Sequence, residues 1–316
     1  MTKTAAFSRI LLPVDALQSY RRVLPFVGVL YRTMKLRPEQ VHLLHVIEGS
    51  FLQRHMDTSD ISAGEVPTAA DMKRLRSQYM KDRVEPMLRQ AAEMLGEVTD
   101  QRERPVFFQD GDPVGIIDEI CRHGGYSTLI MSRRGNDEGA AKLTGSVVSG
   151  ILHRHSDATI FLVGDQELQP GVSPFARCLI GIDGSPESRS AVAEAGILLA
   201  RVDAEIEKVL LLHVLDQSCY YDENGVSCIQ ASISGQRALE EAGNMLTAAG
   251  VRQEKITTVI HFGKPGTVLA EEAIDCDATL VFIGKRDRSR MAQVFLGSVC
   301  TDMIENCRKK TIVLCN

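Results

Sequence analysis

Short continuous apolar runs alternate along this chain with longer stretches in which apolar residues return every three or four positions. The first run, residues 8–14 (SRILLPV), ends in Asp15. Runs of this length suit strands buried on both faces of a parallel sheet. Residues 19–34 then read as a helix, with Val23, Phe26, Val27 and Leu30 on one face. A second strand covers 40–47 (QVHLLHVI), and a polar excursion over 48–70 follows it. A connection this long is uncommon inside a compact domain and marks a lid, a partner site or a partly disordered segment. The amphipathic stretch 71–96 predicts a long helix that Pro86 kinks. Residues 104–109 predict a third strand, Gly111-Asp112-Pro113 a turn, and 114–123 a helix. The fourth strand falls at 128–132 and the fifth at 159–163.

After a polar stretch with two prolines and a glycine, 165–174 (DQELQPGVSP), the pattern starts again. Residues 178–182 run into Asp183 as the first strand ran into Asp15, and VLLLHV at 209–214 repeats the second strand. Gly263-Lys264-Pro265 repeats the turn, and 279–284 and 311–315 repeat the fourth and fifth strands. Asp183 follows Asp15 by 168 positions, and His213 follows His45 by the same 168. Gly263 follows Gly111 by 152, as Gly297 follows Gly145. A constant offset is the mark of a duplication. The loss of 16 positions between the two offsets falls where the first copy carries its polar excursion. The reading is a domain at 1–164, a linker at 165–174 and a second domain at 175–316. Alternating strands and helices predict a parallel sheet with helices on both faces in each domain.

Composition narrows the function. The 316 residues are 44% hydrophobic and 24% charged, an ordinary globular balance. A net charge of −5 argues against general nucleic-acid binding. Apolar runs stop far short of the roughly 20 residues a membrane helix needs, and no charged-then-apolar leader precedes the first strand, so the cytoplasm is the expected compartment. None of the eight cysteines forms a CxxC pair, which argues against a zinc or thioredoxin-type site. Most read as small core residues, whereas Cys219 and Cys228 lie in a polar stretch that leaves a redox role open.

The chemistry gathers at the carboxyl ends of strands, where ligands bind in open α/β sheets. Residues 131–149 (MSRRGNDEGAAKLTGSVVS) read as a strand end, a basic loop and a helix opening on Gly145-Ser146. Unpaired N–H groups and the helix dipole make such an opening suited to phosphate. Residues 283–301 (IGKRDRSRMAQVFLGSVCT) repeat it without a gap: Ser132 matches Gly284, Gly135 matches Asp287, and Gly145-Ser146 matches Gly297-Ser298. Asp15 and Asp183 compete between ligand contact and a turn-capping role. His45 and His213 read as structural histidines. His153 and His155 face apart on a helix and make a poor metal pair. Ser146 and Ser298 have no base at fixed spacing, so helix capping with ligand contact is favoured over catalysis. The run at 285–290 reads as a solvated basic loop.

These residues resemble the universal stress protein family, as a tandem pair over nearly the whole chain. The signature Gly, two residues, Gly, nine residues, Gly-Ser/Thr after the fourth strand is met in spacing by both copies, each with one glycine replaced. The resemblance implies two Rossmann-like domains of the adenine nucleotide α-hydrolase type, each with a five-stranded parallel sheet, joined as a pseudo-dimer through residues 159–163 and 311–315. It also implies ATP or a related adenine nucleotide as ligand, with Mg²⁺ as its companion. In the first half Pro13, Val14, Asp15 and Val46 would face adenosine, and Met131, Ser132, Arg133, Gly135, Gly145, Ser146, Val147 and Val148 would face ribose and phosphates. The matching positions are Ile182, Asp183, Val214, Ile283, Gly284, Arg286, Gly297, Ser298, Val299 and Cys300.

The departures rank the halves. Ser132 adds a Cβ where the family has glycine, a cost only if the backbone needs positive φ or the phosphate comes close. Arg133 and Arg134 are placed to offset it by charge. Asp287 puts a carboxylate near phosphate, at roughly 1 to 4 kcal/mol for a separation of about 4 Å, with Lys285, Arg286, Arg288 and Arg290 around it. The first half is therefore the expected site. The function expected is stress-response regulation through nucleotide binding, with at most slow hydrolysis and with an unidentified protein partner or a further homodimer. The alternatives are a nucleotide-free interaction module and a weak ATPase.

Overall fold

The computed structural model describes residues 7–15, 20–47, 68–99, 106–133, 145–154, 158–166, 171–216, 226–285 and 296–316. The first half runs β1 (Ile10–Pro13), α1 (Tyr20–Met34), β2 (Val41–Ile47), α2 (Ala69–Tyr79), α3 (Glu85–Thr99), β3 (Val106–Asp110), α4 (Pro113–His123), β4 (Thr128–Ser132), α5 (Ser146–Leu152) and β5 (Thr159–Val163). The second runs β6 (Arg177–Gly181), α6 (Pro186–Leu199), β7 (Lys208–Asp216), α7 (Val226–Ala249), β8 (Ile256–Gly263), α8 (Pro265–Asp275), β9 (Leu280–Gly284), α9 (Ser298–Asn306) and β10 (Thr311–Cys315).

All ten strands form one sheet in the order β3-β2-β1-β4-β5-β10-β9-β6-β7-β8. Neighbours are parallel within each half. The halves meet at one antiparallel pair, β5 with β10, in which Ile312, Val313 and Leu314 face Leu162, Phe161 and Ile160. Each fifth strand thus covers the edge that the other would expose. The pairing expected from TIFLV and TIVLC is present, and the sheet is α/β and doubly covered as the alternating pattern predicts.

Successive strand residues point to opposite faces, and the core divides accordingly. Ile10, Leu12 and Val14 join α1, α3, α6 and α7 in one cluster, which also takes in Phe161 and Val313 at the junction. Leu11, Leu44 and Met131 join α4, α5, α8 and α9 in the other. Rings bridge the junction on the first face. Phe161 lies 5.8 Å from Phe7 and 5.9 Å from Phe26, and Phe26 lies 5.9 Å from Phe175, all between centroids. At the position of Phe26, 168 residues on, stands Glu194, buried, whose carboxylate accepts from the Thr159 hydroxyl.

Local sequence explains most element starts. Thr68 and Asp71 form a reciprocal capping box at α2. Asp112 caps α4 through Val114 and Gly115, and Ser185 caps α6 through Ser188. The long helix expected over 71–96 is divided by a π turn, Met80–Val84, in which the Glu85 N–H reaches the Met80 carbonyl. Pro86 follows at once. It has no N–H to continue the regular ladder, and a widened turn accommodates that loss. The turn glycines Gly111 and Gly263 both sit at φ 144°, the conformation glycine supplies. The excursion over 48–67, the central linker residues 167–170 and Cys219 lie outside the described residues.

Candidate functional site

In each half the strand order reverses beside the first strand. β1 has β2 on one side and β4 on the other, and β6 likewise lies between β7 and β9. The crevices lie at the carboxyl ends of these pairs, where the connections part.

The second strand of each half is locked to the first by a histidine. His45 donates from Nδ1 to the Val14 carbonyl at 2.8 Å, and the Val14 N–H donates to Leu44 at 2.8 Å. His213 donates to Ile182 at 2.7 Å, and the Ile182 N–H to Leu212 at 2.8 Å. Both histidines hold the strand ends together, as their spacing suggested. His45 is buried, and burial pushes its pKa below the ordinary value. Its Nε2 has no hydrogen-bond partner among the described residues.

The acidic strand ends differ in what they show. Asp183 accepts from the Ser185 N–H at 2.9 Å, a turn contact that precedes α6, with Gly184 at φ 76° beside it. One carboxylate oxygen therefore serves the turn. Asp15 is half-buried at the end of β1, and residues 16–19 beyond it lie outside the described residues.

On the crevice face, Val46 and Val147 are partly buried and pack against the second core cluster, as do Val214 and Val299 in the other half. The four valines thus stand at matching places in the two halves. Val14, Met131, Val148, Ile182, Ile283 and Cys300 are buried. Their side chains belong to the core, so only their backbones are available at the crevice. The Cys300 thiol donates to the Gly284 carbonyl at 3.8 Å. Pro13 ends β1 and Ser132 ends β4, both half-buried.

The helix starts are nearly identical. Gly145 has φ −60° and ψ 150°, and Gly297 has φ −59° and ψ 151°. Any residue adopts this conformation, so backbone strain does not call for glycine here. Neither start carries a side-chain cap, in contrast to α2, α4 and α6. The hydroxyl-bearing residues that follow, Ser146 and Ser298, are exposed. Among the described residues, no side chain caps the first-turn N–H groups of either helix.

Two expectations are corrected. Arg133 was expected to face phosphate. It is instead 2% exposed, and its guanidinium donates to the Ile304 and Cys307 carbonyls at the end of α9, in the other half. A cation suits a helix C-terminus, where carbonyls lack partners and the dipole is negative. Lys285, read as part of a solvated run, is 4% exposed and donates to the Arg154 carbonyl just beyond α5 at 3.0 Å. These roles were not legible because the partners are more than a hundred residues away.

Gly284 has a role in packing. It is absent from the positive-φ residues. A Cβ there would lie 2.5 Å from the Glu187 carbonyl carbon, 2.6 Å from its oxygen and 2.8 Å from the Ser188 nitrogen. The glycine lets the first turn of α6 approach β9 closely. Ser132, its counterpart, stands at the end of β4. The remaining site expectations, Arg134, Gly135, Arg286, Asp287, Arg288 and Arg290, lie outside the described residues. So does His155, while His153 is exposed and donates to the Ser149 carbonyl at 2.7 Å.

A third glycine exchange links the halves. Gly150 on α5 lies against Val114 on α4, where a Cβ would fall 2.5 Å from a valine methyl. At the matching positions Asp302 stands on α9 and Gly266 on α8, and a Cβ on Gly266 would lie 2.5 Å from that of Asp302. The small residue has changed helix while the packing is kept.

Residues 174–314 match the model of the Universal stress protein family. Universal stress protein Rv2623 of Mycobacterium tuberculosis H37Rv is 25% identical over 189 residues, 58% of this chain and 60% of that protein. The chain thus aligns with less than two thirds of that relative's length. The crystal structure of a universal stress protein from Archaeoglobus fulgidus DSM 4304 is similar over 98% of both chains, with a TM-score of 0.66 and 20% identity. A functionally unknown protein from Pseudomonas aeruginosa PAO1 is similar over 99% of this chain and 93% of its own, with a TM-score of 0.55 and 14% identity. Both structures speak for the fold. Among the described residues no helix is long and apolar enough to cross a membrane.

Proposed function

We propose that this chain, whose residues 174–314 match the Universal stress protein family, is a stress-response regulator that binds ATP or a related adenine nucleotide in its carboxyl-end crevices. The first-half crevice is the foremost site. The observation that carries the reading is the helix start at Gly145, which no side chain caps, on the same half as the partly buried Val46 near the end of β2. The valine suits an apolar base and the first-turn N–H groups suit phosphate. Asp15 follows β1 and would take the ribose or adenine edge. The second half keeps the valine, as Val214, and the helix start, but carries Asp287 in its loop.

Binding rather than turnover is proposed. His45 and His213 are held by strand-end carbonyls, which removes the nearest strand-end histidines as bases for Ser146 or Ser298. Hydrolysis, if measurable, is slow, and Mg²⁺ would enter with the nucleotide.

One observation favours a second reading, a nucleotide-free interaction module. Arg133 and Lys285, the cations that lead into each loop, are held at the junction. Equilibrium dialysis with labelled ATP and Mg²⁺ separates the two. Saturable retention displaced by ADP more readily than by GTP supports the nucleotide reading. No retention at millimolar ATP leaves the interaction module.

A further inference from the structure

Arg133 touches both halves at once. Through its backbone it belongs to the first crevice: its N–H donates to Val163 at 3.3 Å and its carbonyl accepts from Gly145, the start of α5, at 3.3 Å. Through its guanidinium it holds the Ile304 and Cys307 carbonyls at the end of α9. Lys285 mirrors it, with its N–H on Cys315 at 2.6 Å and its Nζ on Arg154, past the end of α5, at 3.0 Å. Both side chains are nearly fully buried, so neither moves without its surroundings. The helix α9 has nine residues and is roughly 13 Å long. Its far end is Gly297, at the second crevice. A chain of contacts therefore runs from Gly145 through Arg133 and α9 to the opening of the other crevice.

We propose that Arg133 and Lys285 are positioning residues that couple the two crevices, so that a nucleotide in one changes the affinity of the other. The proposal rests on the nucleotide reading above. Coupling of this kind is reciprocal: each occupant changes the other's affinity by the same factor.

The test is calorimetric titration of the full chain with ATP and Mg²⁺. Gly145→Glu and Gly297→Glu each place a carboxylate at one helix start, in a backbone conformation that accepts any residue, and leave one crevice open. The affinity of the second crevice in Gly145→Glu is expected to differ about fivefold or more from its affinity in the wild type with the first crevice filled. Arg133→Met should bring the two values together, and Arg133→Lys should restore part of the difference. A merely structural role would lower the melting temperature of Arg133→Met and leave the two affinities as unequal as before, which overturns the proposal. Equal affinities in the wild type overturn it too. If Arg133→Met does not fold, Lys285→Met carries the same comparison for the first crevice. Folded wild type that binds no ATP overturns the nucleotide reading itself, and the coupling with it.

Discussion

Gly284→Ser and Ser132→Gly exchange the two residues by which the halves differ at the end of the fourth strand. In the second half an added Cβ meets the backbone of Glu187 and Ser188 at 2.5 to 2.8 Å. Side-chain Cβ atoms do not come that close, so something must give by the better part of an ångström. The obstacle is not a flexible side-chain tip. It is the first turn of α6, held by Pro186 at its first position and by the Ser185 hydroxyl on the Ser188 N–H at 3.1 Å. Overpacking of this kind costs about 1–3 kcal/mol, and a strained cap about 1 kcal/mol more. Gly284→Ser should therefore lose about 2–4 kcal/mol. Ser132→Gly removes a side chain rather than adding one and should cost about 1 kcal/mol, the backbone entropy of glycine in a strand. Urea denaturation followed by circular dichroism measures both, with an unchanged slope showing that the folded state is otherwise intact. A loss below about 0.5 kcal/mol for Gly284→Ser would refute the packing account and return this glycine to the ligand. So would a larger loss for Ser132→Gly than for Gly284→Ser.

The exchanged small residue on the helix pairs predicts compensation. Gly150→Asp alone should lose about 1–3 kcal/mol against Val114, and adding Val114→Gly should recover part of it, read as a coupling energy in a double-mutant cycle. Gly111→Ala and Gly263→Ala should each cost about 1–3 kcal/mol, since both glycines sit at φ 144°, as measured by the same denaturation. His42 and His45 are buried, and burial lowers the pKa of each below 6.5. The unfolded chain then binds protons that the folded chain refuses. Stability is full above pH about 6.5 and falls as pH drops toward the folded values, by at most ~1.4 kcal/mol per pH unit for each histidine. Denaturation midpoints from pH 7.5 to 5 check this, and an unchanged midpoint would contradict it. Asp287→Gly should tighten ATP binding in the second crevice, and unchanged affinity in a Gly145→Glu background would show that the carboxylate does not repel phosphate.

What could be read along the chain was the part that repeats. The constant offsets of Asp15 and Asp183, and of Gly145 and Gly297, located strands, turns and helix starts because each is set by residues near in sequence. The junction between β5 and β10 was expected from the family resemblance, and each strand covers the other's edge. The role of Arg133 was not. A basic residue after a strand looks alike whether it meets a phosphate or a helix end, and only the antiparallel seam brings α9 to it. The packing role of Gly284 was hidden for a related reason. Glycine marks a place where something comes close, and the pattern does not say whether that is a ligand or the chain's own backbone. The π turn before Pro86 lay between: the proline announced an irregularity, and the widened form of the turn was not legible.

Calorimetry of the folded wild-type chain with ATP and Mg²⁺ tests the central claim most directly. The account predicts saturable heat that Gly145→Glu diminishes more than Gly297→Glu does. A flat titration at millimolar ATP, with the chain shown to be folded, would contradict it.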